Sequence, residues 1–348
     1  MQIDSCDFKP KSKRLIWADH LKALGIVLVV VGHLELPSYL DAWVYSFHMP
    51  MFFILTGILL PGNLGDLQLK VFFRSKLRNL FIYYFVFSGL GILYSCIYSQ
   101  VHPDPAPLLP EIYNRLCSVI YGSGSVDVRF NLFPITLWYF PAIIMALIIT
   151  YCITRLLPKL ELIAVFGTFV LGMYLCDTTL PWEIESGICA VPFIYIGRYV
   201  ARFQQISQSN IWTRCFLSVV FVISGIILQS FNLRIDFRCS QFGNIFLFYS
   251  SCICTILGLF FLVSGIPFSG LTKRLAEASI IIFPTHVLFI MGLDAVCRRL
   301  GYGYMIHEQL YGFIKAFIAI SIVAGLYPLI SKFSSKVPQD SRGTRSYT

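Results

Sequence analysis

An aspartate, a lysine and a histidine share one face of the first apolar segment of the chain. Asp19 and Lys22 precede the aliphatic run 23–31, and His33 follows that run. On an α-helix, Lys22 and His33 differ by roughly 20° around the axis and by roughly 16 Å along it, with Asp19 about 60° to the other side of Lys22. A neutral imidazole held away from bulk water can act as a general base toward a hydroxyl. We therefore predict that Asp19, Lys22 and His33 are catalytic residues.

Each of these residues also has a structural interpretation. Lys22 can extend to the membrane interface, with Asp19 as its partner one turn away. His33 can instead form a hydrogen bond that packs the helices together. Ionisable groups at membrane depth are costly, so the position of His33 in an aliphatic run favours function. For Lys22 the two interpretations stay open.

Two further histidines lie beside prolines in later apolar segments. His48 precedes Pro50, which should free the carbonyl of Ser46 and kink the helix, and His286 follows Pro284. A histidine beside a helix break at membrane depth indicates a cavity. We predict that His48 and His286 contact the substrate. The alternatives are that His48 satisfies the freed carbonyl and that His286 hydrogen-bonds a neighbouring helix.

The composition predicts an all-α integral membrane protein. Of the 348 residues, 57% are hydrophobic and 13% are charged, whereas a soluble domain is about 25% charged. Segments of about 20 apolar residues can cross a bilayer, and the chain has ten candidates: 17–35, 42–60, 79–99, 132–154, 161–177, 187–203, 212–230, 242–265, 276–296 and 311–331. The 11 cysteines lack metal-type spacing, and the net charge of +9 is scattered, so we predict neither a metal site nor nucleic-acid binding.

The basic residues predict the orientation of the chain. They concentrate at the N-terminus and in alternate loops, and by the positive-inside rule both termini are cytoplasmic. The strongest cluster precedes the third span and comprises Lys70, Arg74, Lys76 and Arg78. We divide the chain into a cytoplasmic segment 1–16, one membrane domain 17–332 with a long outer loop at about 100–131, and a flexible cytoplasmic tail 333–348.

Two aromatic residues follow the long outer loop. Trp138 can stack on a sugar ring or belong to an interfacial aromatic belt, and these two interpretations are even. We include Trp138 among the candidate substrate contacts. For Tyr139 we favour the belt.

The first two spans carry a family resemblance. Residues 19–33 read Asp-x-x-Lys-x-x-Gly-Ile-x-Leu-Val-Val-x-Gly-His, and residues 47–57 read Phe-His-Met-Pro-Met-Phe-Phe-x-Leu-Thr-Gly. This pattern resembles the acyltransferase-3 family, and more narrowly its fucose 4-O-acetylase-like membrane O-acetyltransferases. Residues 73–80, 137–141 and 279–286 resemble later segments of the family, although Phe283 replaces the usual tyrosine.

The resemblance implies a fold of about ten membrane helices and an O-acetyltransferase activity. Such enzymes move acetyl from cytoplasmic acetyl-CoA to a sugar hydroxyl of a surface or exported glycan. By this resemblance His33 is the general base or the acyl carrier, and at least one of Arg74 and Arg78 contacts the CoA phosphates. The alternative, which we favour for Lys76, is that these residues only set topology and contact anionic lipid. The implied partners are acetyl-CoA as donor, a carbohydrate or lipid-linked glycan and membrane lipid, in a bacterial inner membrane, with no permanently bound cofactor.

Two other functions remain open at this point. A transporter or flippase for a lipid-linked sugar could use the Asp19–Lys22–His33 stripe as a conduit, although the chain has no internal repeat of the kind common in such proteins. A non-catalytic partner in polysaccharide assembly would gain nothing from a buried aspartate, lysine and histidine.

Overall fold

The protein is helical throughout the part that the structure describes. The computed structural model describes residues 15–101, 107–125, 130, 132–200, 210–267, 269–304 and 309–334, and these residues contain no β-strand. The helices are α1 (Ile16–Gly32), α2 (Ser38–Ile58), α3 (Leu69–Phe72), α4 (Arg78–Val101), α5 (Leu108–Tyr121), α6 (Tyr139–Leu156), α7 (Glu161–Tyr174), α8 (Ile184–Val200), α9 (Ile211–Ser230), α10 (Ile245–Val263), α11 (Gly270–Arg299) and α12 (Gln309–Ser334).

The lengths and composition of these helices make the chain a multi-pass membrane protein. Each of the ten predicted segments overlaps a helix, and within the described residues six helical stretches are both long and apolar enough to cross a bilayer, whereas Glu161–Tyr174 is shorter. Ten crossings and cytoplasmic termini therefore remain predictions. Most of the predicted segment 1–16, with its basic residues, and most of the predicted tail 333–348 lie outside the described residues.

The predicted long outer loop contains a helix that the sequence reading missed. Helix α5 lies against α4, where the Tyr84 hydroxyl donates to the Val119 carbonyl over 2.7 Å and Ser95 donates to Glu111. Arg115 holds the same carboxylate at 2.9 Å. At 14 residues, α5 is too short for a span, and its polar contacts with α4 are not visible from local pattern.

Close backbone contact between α2 and α8 holds the second helix in place. A Cβ at Gly57 would lie 2.0 Å from the Ile194 carbonyl oxygen, and one at Gly197 would lie 2.0 Å from the Ile54 carbonyl oxygen. Only glycine allows this approach at either position. Helix α1 packs against α2 and also against α11, so these three helices meet.

A buried glutamate links three of the connections between helices by hydrogen bonds. Glu183 is fully buried, and its Oε1 accepts from the Gly124 N–H over 2.7 Å. The Ser186 hydroxyl lies 2.8 Å from Glu183 Oε2 and 2.9 Å from the Phe237 carbonyl. A hydroxyl has one proton, so both bonds form fully only if Glu183 is protonated and donates to Ser186. Burial raises the pKa of Glu183 to about 8, in agreement with this assignment.

We expect Glu183 to make stability pH-dependent. The folded protein keeps this proton up to about pH 8, while the unfolded chain loses it near pH 4.5. Stability should therefore fall as pH rises between these values, by at most about 5 kcal/mol. The neutral Glu183→Gln variant should lose this dependence and be more stable than the wild type at pH 8.5, as measured by thermal unfolding in detergent across this range.

The half-exposed Glu161 at the start of α7 supplies the control. Glu161→Gln should keep the wild-type slope of melting temperature against pH. Equal slopes for Glu183→Gln and the wild type would show that Glu183 is not the responsible group.

Candidate active site

The histidine of the first span lies at the end of α1 rather than within it. His33 is the C-cap residue, with φ −93° and ψ 9°, and it is half-buried. Its ring faces that of His286, with centroids 4.9 Å apart and planes at 53°. Among the described residues, none forms a hydrogen bond with the His33 ring. The end of α1 therefore places an imidazole that forms no hydrogen bond with the described residues at the junction between α1 and α11.

His286 contributes a buried acceptor to this junction. Its Nδ1–H donates to the carbonyls of Phe283 at 2.8 Å and Ile282 at 3.1 Å. A carbonyl can only accept, so the proton of the neutral ring is on Nδ1 and its Nε2 carries a lone pair. This Nε2 is buried and has no hydrogen-bond partner in the described part of the chain. A buried polar atom without a partner is rare and indicates a ligand or a catalytic role.

His48 has the same local arrangement on α2. Its Nδ1–H donates to the Val44 carbonyl over 2.7 Å, and the ring meets Tyr45 edge-on at 4.9 Å. The expected alternative for His48 was a bond to the Ser46 carbonyl that Pro50 frees, and the structure shows Val44 as the acceptor instead.

The other two predicted catalytic residues lie toward the opposite end of α1. Helix α1 is unbroken from Ile16 to Gly32, so Lys22 is roughly 16 Å from His33 along the axis. Asp19 and Lys22 are both half-buried and both contact other groups. The structure thus separates this pair from the junction of histidines.

The predicted basic loop is instead part of a helix. Residues 73–77 form a π-helical turn between α3 and α4, and Arg78 begins α4. Isolated π-helical turns occur frequently at functional sites. Arg74 is exposed, whereas Arg78 is half-buried, and its Nε is a buried donor without a partner among the described residues. An unused guanidinium donor of this kind suits a phosphate or carboxylate ligand.

Trp138 and Tyr139 are packed inside the bundle. Trp138 is 7% exposed and stacks on Phe237 with centroids 6.0 Å apart. Tyr139 contacts Phe53 at 5.3 Å and Phe283 at 5.0 Å. These ring contacts differ from those of an interfacial belt, which would leave the rings at the membrane surface. The contact of Trp138 with a sugar stays a prediction.

Two arginines that sequence reasoning did not single out are held by aspartates near the histidines. Arg234 forms an ion pair with Asp41, and its guanidinium lies 3.8 Å from the centre of the Tyr45 ring. Arg238 pairs with Asp236 at 2.8 Å. Burial opposes both charges, yet the facing carboxylates raise the pKa of Arg234 and Arg238, so both stay cationic. Arg234 and Asp41 are 193 residues apart, and no local signal could have paired them.

A cavity adjoins His33. Its volume is about 240 Å³, which equals roughly eight water molecules at about 30 Å³ each. Its wall includes His33, Glu35, Ile290, Asp294, Phe313 and Lys315. Within the described residues, no group of three histidine, cysteine or acidic side chains could hold a metal ion. The arrangement is suited to moving a proton at an imidazole.

Apolar helices, together with one imidazole at a cavity, define a multi-pass membrane protein with a candidate site for proton transfer. A family model described as an acyltransferase domain, that of the acyltransferase-3 family, matches residues 15–328. The chain belongs to the acyltransferase-3 family, and the class of enzyme is a membrane acyltransferase. No curated protein and no solved structure matches the chain.

Proposed function

We propose that this protein transfers an acetyl group from cytoplasmic acetyl-CoA to a hydroxyl of a sugar in a surface or exported glycan, in a bacterial inner membrane. The observation that supports this best is the His33 ring, which lines a cavity on one side and faces the unpartnered His286 on the other. An acyltransferase must remove a proton from the acceptor hydroxyl, and a neutral imidazole is the side chain that does this most often.

In the first route, His33 acts as a general base. Its free ring nitrogen takes the hydroxyl proton while the hydroxyl oxygen attacks the thioester carbonyl carbon. The carbon–sulfur bond then breaks, and the departing CoA thiolate takes up the proton from the imidazolium. The His286 ring lies 4.9 Å from that of His33, and its Nε2 lone pair would orient either the His33 ring or the hydroxyl.

In the second route, an imidazole nitrogen of His33 attacks the thioester carbonyl carbon, the carbon–sulfur bond breaks, and the departing CoA thiolate takes the proton of the other ring nitrogen. The sugar hydroxyl then attacks the acetyl-imidazole, the carbon–nitrogen bond breaks, and the hydroxyl proton passes to the ring, which becomes a neutral imidazole again. Both routes use the same atoms of His33. They differ in whether an acetylated enzyme exists.

The donor side of the proposal rests on the basic π-helical turn. The buried Nε of Arg78 and the exposed Arg74 would hold phosphates of CoA. The thioester would then reach His33 along the face of α1 that carries Asp19 and Lys22. These two residues would line its path.

The test is transfer by the purified full-length protein. Radiolabelled acetyl-CoA and a panel of methyl hexosides should yield labelled O-acetyl sugar, and surface glycans from cells with the protein should show an acetyl-sized mass absent from cells without it. Movement of a lipid-linked sugar across vesicles without acetyl transfer would overturn the proposal and support a flippase.

Replacing Arg78 should weaken donor binding specifically. A hydrogen bond to a charged group is worth about 1.5–3 kcal/mol, so Arg78→Gln should raise the KM for acetyl-CoA by about 10- to 100-fold. Steady-state kinetics at fixed acceptor concentration would measure this change. The KM for the hexoside should stay unchanged, because Arg78 lies on the donor side.

Lys70 provides a matched control, since it is basic, exposed and in α3 just before the same π-helical turn. Lys70→Gln should leave the KM for acetyl-CoA unchanged. An equal rise in both variants would mean that the cluster attracts the donor only by its general charge.

A further inference from the structure

A buried ion pair forms part of the wall of the cavity beside His33. Lys315 of α12 donates to the Asp294 carboxylate of α11 over 2.8 Å. The lysine side chain is 7% exposed and the aspartate side chain is 17% exposed. Both residues line the cavity that His33 also lines. Along α11, Asp294 is eight residues, and so roughly 12 Å, beyond His286.

Stability does not account for this pair. Removing two charges from water costs about as much as their attraction returns, so a buried pair is often no more stabilising than apolar residues of similar size. The surroundings could accommodate apolar residues, because Ile290 and Phe313 line the same cavity. A charged pair at such a place indicates that it binds something.

Among the described residues, the pair also leaves hydrogen-bond acceptors of Asp294 and donors of Lys315 without a strong partner. A carboxylate has about four acceptor positions and an ammonium group has three donors. The bond between Lys315 and Asp294 uses one of each. The ring of Tyr311, at 4.8 Å from the lysine nitrogen, supplies a further contact but no strong acceptor. The remaining acceptors and donors are complementary to the adjacent hydroxyls of a sugar.

We propose that Asp294 and Lys315 form the acceptor subsite, which binds a neutral sugar through two hydroxyls and places a third at His33. This inference rests on the proposed acetyl transfer and names where its acceptor binds. Two carboxylates, of Glu35 and Asp294, and one ammonium group line the cavity. An anionic acceptor is therefore disfavoured, and a neutral hexose is preferred over a uronic acid.

The experiment compares acceptor and donor kinetics of the full-length enzyme in detergent. Asp294→Asn should raise the KM for a methyl hexoside by about 10- to 100-fold, as expected for the loss of a charged hydrogen-bond acceptor. The KM for acetyl-CoA should stay at the wild-type value. Arg299→Gln, an exposed change at the end of α11, should leave both KM values unchanged.

A double variant separates binding from folding. Asp294→Leu with Lys315→Met removes both charges together, so no buried charge is left alone and the protein should fold with a wild-type melting temperature. It should still lose hexoside affinity. Wild-type KM for the hexoside in this folded variant would overturn the acceptor subsite.

Failure of the proposed function gives a different result. In that case the wild type would transfer no acetyl group, yet a methyl hexoside would still raise the melting temperature of the wild type and not that of the double variant. Transfer by the wild type, combined with unchanged acceptor kinetics in both variants, would refute the subsite alone.

Discussion

His33→Ala is expected to lower kcat for acetyl transfer by about 10²- to 10⁴-fold, which is the usual contribution of a general base. His33 is the ring that both lines the cavity and faces His286. The KM for acetyl-CoA should change little, because Arg78 and Arg74 rather than His33 would bind the phosphates. The measurement is the rate of labelled acetyl transfer to a methyl hexoside at saturating concentrations of both substrates.

His20 offers the matched control within the same helix. It is 5% exposed, and its Nδ1–H donates to the Ile16 carbonyl over 2.8 Å, at the opposite end of α1 from the cavity. His20→Gln should keep wild-type kcat even if it lowers the melting temperature. Wild-type kcat in His33→Ala would overturn the role of His33 and the mechanism built on it.

A comparison of the wild type with His33→Ala distinguishes the two chemical routes. If His33 carries the acetyl group, rapid quenching after mixing with acetyl-CoA alone should give a wild-type protein with one acetyl-sized mass increase, absent in His33→Ala. If His33 is a general base, no such species forms before the sugar is added.

His286→Phe should have the second-largest effect and lower kcat by about 10²-fold, since displacing a reacting group by about 1 Å costs that much. Phenylalanine keeps the aromatic contact with the His33 ring but lacks the Nε2 acceptor that has no partner in the described residues. His286→Gln keeps a polar acceptor and should recover part of the rate. Both rates are measured as single-turnover acetyl transfer, alongside the melting temperature.

The neighbouring Thr285 controls for a purely structural effect. Its hydroxyl also donates to the backbone of α11, to Ile281 over 2.7 Å, and it is also buried. Thr285→Ala should lower stability without lowering kcat. Suppose that both His286 variants lose the same fraction of activity and that this loss follows the fall in their melting temperatures. His286 would then have only a structural role.

Local pattern was enough to predict the helical segments and their histidines. Long apolar runs predict helices whatever their neighbours are, because the membrane itself imposes this requirement. The face shared by Lys22 and His33 follows from helix geometry alone, and α1 is continuous between Ile16 and Gly32. The prolines beside His48 and His286 lie within the helices α2 and α11, as the apolar pattern predicted.

Local pattern was not enough where a residue's role depends on a partner far along the chain. Arg234 pairs with Asp41, which lies 193 residues away and holds it over Tyr45. The sequence left Trp138 open between an interfacial belt and a sugar contact, and only the structure shows that it stacks on Phe237. Helix α5 has no pattern long enough for a span, and its position depends on hydrogen bonds to α4.

The sequence by itself determined which residues can do chemistry and which segments can lie in a membrane, since both depend on side-chain type and on the helical repeat. Only the tertiary structure decided that His33 faces His286, that Asp294 pairs with Lys315 and that His33, Asp294 and Lys315 line one cavity. The physical reason is that helix packing depends on shape and close contact between distant segments, which hydrophobicity along the chain does not encode.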